Sequence, residues 1–116
     1  MKPHIARAIP LRRYEIDTFT VVVLGEIESD DPVDYKYIMA FVDMGETEPM
    51  LYITSEENPP GQREHGRYRV RVLMGRDARD MGSDDFPGDL DQFTDFGFQL
   101  AGRLLQLQGE EPVRLM

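Results

Sequence analysis

The spacing of apolar residues changes period once along the chain. Between Tyr14 and Met74 they recur at every second position, the mark of strands with one covered face. Between Phe93 and Leu107 they recur three and four apart, the mark of an amphipathic helix. The first strand is expected over Tyr14–Glu28, with Phe19, Val21, Val23 and Ile27 on one face. Its other face (Thr18, Thr20, Val22, Leu24, Glu26) is half apolar, which suits a central position covered on both sides. Asp30-Asp31-Pro32 reads as a turn. Strands over Tyr35–Met44 and Pro49–Ser55 flank a short link containing Gly45 and should form a hairpin. A polar loop follows, with Pro59-Pro60-Gly61. Arg67–Met74 then alternates most cleanly: Tyr68, Val70, Val72 and Met74 against Arg67, Arg69 and Arg71.

Gly75–Gly88 shows no such period and reads as irregular, with a helical turn near Asp77–Met81. Asp89 followed by Gln92 resembles a capping box. Gly109 and Pro112 mark where the helix should stop. Phe93, Gly97, Leu100, Ala101, Leu104 and Leu107 share one side, and Phe98 and Leu105 widen it to about 200° at 100° per residue. Gly97, in mid-helix, suggests close approach of another element. Residues 1–13, with Pro3, Pro10 and little periodicity, read as an extended N-terminal arm before a single α+β domain over 14–116.

The expected architecture is α+β: an antiparallel meander of about four strands covered on one face by a long C-terminal helix. A helix about 10 Å wide roofs roughly two strands spaced about 4.8 Å apart. The remaining apolar face calls for company, so a homodimer is expected, with the helix edge at Phe98 and Leu105 as its interface.

Charge narrows the function. Twenty-two acidic residues against thirteen basic ones leave a net charge of −9, which disfavours nucleic acid as a partner. The charges fall in blocks. Glu26–Glu57 holds ten acids and one base, Arg63–Arg79 six arginines, and Asp80–Asp95 six aspartates without a base. Such blocks pair with one another in the fold or form opposed patches, and pairing is the first expectation. No apolar run approaches the roughly 18 residues that span a bilayer, and the N-terminal residues lack a signal-like apolar stretch, so a cytoplasmic protein without membrane contact is expected.

Candidate chemistry is sparse. The chain has no cysteine, two histidines (His4 and His65) and no phosphate loop or serine-nucleophile elbow. Asp80, Asp84, Asp85, Asp89 and Asp91 do not follow a calcium-loop spacing and suit the start of a helix instead. Glu56, Glu57, Glu64 and His65 flank a loop read as exposed, where a histidine gains little as a base. No catalytic residue, metal site or cofactor is therefore assigned. The distinctive feature is the arginine ladder Arg67, Arg69 and Arg71, with Arg76 just beyond, as a grip for a ligand or partner. Its bland counterpart is pairing with cross-strand acids such as Glu26, Glu28, Glu48 or Asp43. The expected function is a small acidic non-enzymatic module for protein binding and dimerisation. The alternative is an enzyme or small anionic-ligand binder using the arginine face and neighbouring carboxylates.

Overall fold

The computed structural model describes residues 1–107 and 109–116. Seven strands form one antiparallel sheet: β1 (Ile5–Ile16), β2 (Phe19–Ser29), β3 (Asp34–Asp43), β4 (Leu51–Glu57), β5 (Tyr68–Met74), β6 (Asp77–Asp84) and β7 (Val113–Arg114). One helix, α1 (Leu90–Leu104), lies between β6 and β7 in the chain. The order across the sheet is β6-β5-β4-β3-β2-β1-β7, so the first six strands are neighbours in space as they are in sequence. Among the described residues, no helix is long and apolar enough to cross a membrane.

The α+β class and the antiparallel meander stand, but with seven strands where about four were expected. Three segments account for the difference. The residues read as an arm are most of β1, paired with β2 from Ile5↔Ser29 to Ile16↔Phe19. Pro10 is tolerated there because β1 lies near the sheet edge, where a missing N–H costs little. The expected strand Tyr14–Glu28 is two strands, split by a two-residue turn at Asp17-Thr18 in which Asp17 takes a left-handed φ of 52°. Aspartate tolerates that conformation, so the turn carries neither glycine nor proline to announce it. The segment read as irregular forms β6, an edge strand exposed along nearly its whole length.

The helix begins as expected. The Asp89 side chain accepts a hydrogen bond from the Gln92 N–H at 3.0 Å. It ends earlier than Gly109. Gln106 adopts the left-handed φ of 55°, and the Leu107 N–H bonds back to the Gly102 carbonyl at 2.9 Å, with Leu107 buried beneath. This is the Schellman stop with glutamine in the usual glycine position.

α1 packs on β3 and β4 and reaches Tyr14 of β1. Phe93 stacks on Tyr37 at 5.7 Å, and Gly97 sits so close to the sheet that a Cβ there would run into the Met39 sulfur. Val21, Val23, Phe41, Leu51, Ile53, Val70 and Val72 are at most 3% exposed. The surplus of bare apolar sheet on which a homodimer was expected is therefore not found among the described residues. Phe98 and Leu105, expected at an interface, are half-buried against the chain's own core. The Phe98 ring meets Tyr14 edge-on at 5.0 Å and Phe41 at 6.0 Å.

The second face of the sheet is also roofed. Ile38, Leu73, Thr54 and Glu56 on that face are at most 2% exposed. β2 parts from β3 after Leu24, and Glu26 just beyond has a left-handed φ of 47°. Residues 1–4 run as a strap over the face. The Met1 nitrogen donates to the Gly75 carbonyl, Lys2 Nζ approaches Glu48 at 3.9 Å, Pro3 is buried, and His4 binds Asp31.

Candidate functional site

β5 carries Arg69 and Arg71 and no acid, and its neighbours on both sides are acidic. In the β4–β5 ladder Glu56 stands opposite Arg69 and Thr54 opposite Arg71; in the β5–β6 ladder Asp80 stands opposite Arg71. The alternation that points Val70 and Val72 at α1 points Arg69 and Arg71 at the second face. There, Glu56, 1% exposed, receives both guanidiniums. Arg69 Nη2 donates to Oε1 at 3.0 Å and Arg71 Nε to Oε2 at 2.6 Å. The Thr54 hydroxyl adds a third bond to Oε2 at 2.7 Å. Arg69 Nη1 also lies 3.7 Å from Asp80, while its buried Nε has no partner. Burial alone would lower the Arg71 pKa, but its bond to Glu56 and that carboxylate's charge outweigh burial and raise it.

Arg67 belongs to a separate pair of contacts. Glu57 Oε1 accepts from Arg67 Nη2 and from Arg63 Nη2, both at 3.0 Å. The bond to Glu57 raises the Arg67 pKa. Arg76 lies exposed in the turn between β5 and β6 and joins neither cluster. The three-rung ladder thus resolves into Arg69 and Arg71 on the buried Glu56, Arg67 on the half-buried Glu57, and Arg76 apart. The pairing acids are Glu56, Glu57 and Asp80, in place of Glu26, Glu28, Glu48 and Asp43. The neighbouring aspartates serve the backbone: Asp80 accepts from Gly82 N–H, Asp84 from Asp85 N–H and Asp85 from Arg67 N–H.

Beside this cluster, Asp31 forms a second hub. Its carboxylate accepts the Tyr35 hydroxyl at 2.6 Å and the His4 backbone N–H at 2.9 Å, and it lies 2.8 Å from His4 Nδ1. The Tyr35 bond above all, then the His4 backbone bond, draws the Asp31 pKa down from 3.8 to about 2. Tyr35 in turn is raised well above its ordinary value, by burial first and by its bond to Asp31 second.

Asp31 and His4 are invisible to periodicity because they lie in a turn and in an aperiodic segment; Tyr35 alternates with Tyr37, Met39 and Phe41, but a register shift between Tyr35 and Tyr37 turns it to the second face. Glu56 had a readable signal: it follows an apolar strand by one residue and is joined by a single loop to a strand with arginine at alternate positions.

A cleft of about 490 Å³ opens next to the cluster, lined among others by Pro32, Asp34, Glu56, Asn58, Arg63 and Arg69. Its acids and bases largely neutralise one another. Both Glu56 oxygens are occupied by hydrogen bonds from guanidiniums and a hydroxyl, so the arrangement suits structure better than acid–base work. His65 is exposed in the loop beyond β4. Among the described residues no group of three or more histidine, cysteine, aspartate or glutamate side chains could hold a metal ion. Comparison with protein-family models, with curated proteins and with solved structures finds no match.

Proposed function

We propose that the chain is a non-enzymatic binding module that engages a basic protein partner through its acidic exterior. One observation carries the reading. The arginines of β5 that could have served a ligand, Arg69 and Arg71, are turned onto the buried Glu56, and they tie β5 to β4. Their positive charge is absorbed internally, and the net −9 falls to a surface rich in unopposed acids. Glu46, in the link between β3 and β4, and Asp77, at the start of β6, lie at one end of the sheet, and both are exposed.

Cross-linking in host lysate at about 0.1 M and about 1 M salt tests the proposal, because screening lengths of about 10 Å and about 3 Å separate charge-led contacts from others. The wild-type chain is expected to capture a basic protein at low salt and release it at high salt, and Glu46→Lys with Asp77→Lys is expected to abolish capture. A captured set unchanged by both salt and charge reversal defeats the proposal.

A second reading is favoured by the unpartnered Arg69 Nε beside the 490 Å³ cleft: a site for a small anion. Thermal melting with millimolar phosphate or citrate decides it. A concentration-dependent rise in melting temperature that Arg63→Gln removes supports this reading, and an unchanged melt rejects it.

A further inference from the structure

We infer that the strap formed by Lys2, Pro3 and His4 occupies a peptide-binding trough on the second face, and that the trough accepts in trans a protein segment with a basic residue immediately before a proline. The inference deepens the binding-module reading and rests on it, naming the surface and the chemistry of the partner.

The argument begins with what the strap leaves unfilled. Grooves of about 400 Å³ and about 320 Å³ remain on its two sides, and Met1 and Lys2 line both. The first is walled by Pro49, Met50 and Tyr52, the second by Val33, Tyr35 and Leu73. Lifting the strap joins the two into one largely apolar trough. Methionine and tyrosine walls suit a peptide: the thioether adapts its shape, and the phenol gives area with few torsions to freeze. Glu48 borders the first groove and Asp31 the second, so a carboxylate stands on each side of the strap.

The strap shows what such a trough selects. Lys2 faces Glu48, the Pro3 ring is buried, and the His4 backbone and ring both reach Asp31. Proline brings an apolar ring and no N–H, so its burial leaves no donor unpaired. Asp31 is charged at neutral pH at its ordinary pKa of 3.8, and the Tyr35 hydroxyl, which stays when the strap lifts, draws it lower still.

The strap is lightly held at Lys2 and anchored at His4, which bonds Asp31 and whose carbonyl accepts from the Asp30 N–H at 3.0 Å. Lys2 and Glu48 are 61% and 74% exposed, and an ion pair of that kind contributes little. Pro3 is the one buried residue among residues 1–4. An incoming segment of the same chemistry meets a trough already shaped, and competes with a tethered copy for it.

Fluorescence anisotropy on the full chain tests this, with a carboxyl-terminally labelled synthetic peptide of residues 1–7 as the probe. Pro3→Asp in the protein places a charge in the buried site and is expected to release the strap. That variant is expected to bind the peptide at least about tenfold more tightly than wild type, because a closed site lowers apparent affinity by its open fraction. Adding Glu48→Lys to Pro3→Asp is expected to abolish the gain, as is a probe with glutamate in place of Lys2. Glu48 is exposed, so its reversal leaves the fold intact, and circular dichroism confirms this for each variant.

Equal binding by wild type and Pro3→Asp overturns the inference. So does binding indifferent to Glu48→Lys, or no binding at about 1 mM peptide. If the inference fails while salt-sensitive capture of a basic protein persists, the partner docks elsewhere on the acidic surface and the module reading stands. If capture fails as well, both fall.

Discussion

Beneath α1 the sheet is closed by aromatic and aliphatic side chains meeting one another; on its opposite face a carboxylate, two arginines, a phenol and a four-residue strap do the same work. The first closure is made of many small contacts between groups that lose nothing by leaving water. The second takes charges out of water and recovers the cost only because Glu56 has a hydrogen-bonding partner for each oxygen. Similar depths of burial therefore conceal different tolerances. The helix side should soften by degrees when atoms are removed. The polar side should depend on its shared carboxylate far more than on either arginine.

The largest effect is expected on the helix side. Phe93→Ala removes a fully buried ring between α1 and Tyr37 and should cost about 4 kcal/mol in chemical denaturation. Phe93→Leu should recover more than half of that loss. Next comes Glu56→Gln, which leaves Arg71 without its anion and Arg69 with only Asp80 at 3.7 Å, and should cost about 3 kcal/mol. Its contrast with Arg71→Met sharpens the comparison. Arg71 is partly exposed and a methionine stem can take its place, so a cost below about 2 kcal/mol is expected. If Glu56→Gln were no worse than Arg71→Met, the two faces would not differ as described.

A smaller effect should appear in acid. Asp31 has a folded pKa of about 2 against an ordinary 3.8, so the unfolded chain takes up the proton first as the pH falls. The stability it contributes is complete above 3.8 and is lost as the pH falls toward about 2. Denaturant midpoints of wild type and Asp31→Asn should therefore converge across that interval; parallel curves would exclude the mechanism. The smallest change is expected for Lys2→Glu, within about 0.5 kcal/mol, because its pair with Glu48 is largely exposed.

The same contrast explains what the sequence disclosed. The helix-side closure was legible: Phe19, Val21 and Val23, then Val70 and Val72, alternate as buried rows must, and Asp89 marks the start of α1. The pairing of the charge blocks was legible in outline too, since acids flank the arginine block on both sides in the chain. The second face was not. Arg69 and Arg71 alternate with valines as residues of a wet face would, and only the three-dimensional roof makes them half-buried. That roof comes from Pro3 and the turn at Asp31, where no period exists to be read. β6 escaped notice for a related reason: an edge strand exposed on both faces has no need of apolar alternation, and its aspartates serve to keep the edge solvated.

The strand order carries a kinetic consequence. Because β1 through β6 lie side by side in the order of synthesis, each ladder closes through a local loop, and little chain entropy is lost before contacts begin to reward it. The sheet can thus zip from any hairpin outward. α1 and β7 are the exceptions: α1 must reach back over β3 to Tyr14 of β1, and β7 must cross to β1 at the far edge. Their docking is the slow, long-range step that turns a ribbon of hairpins into a closed molecule.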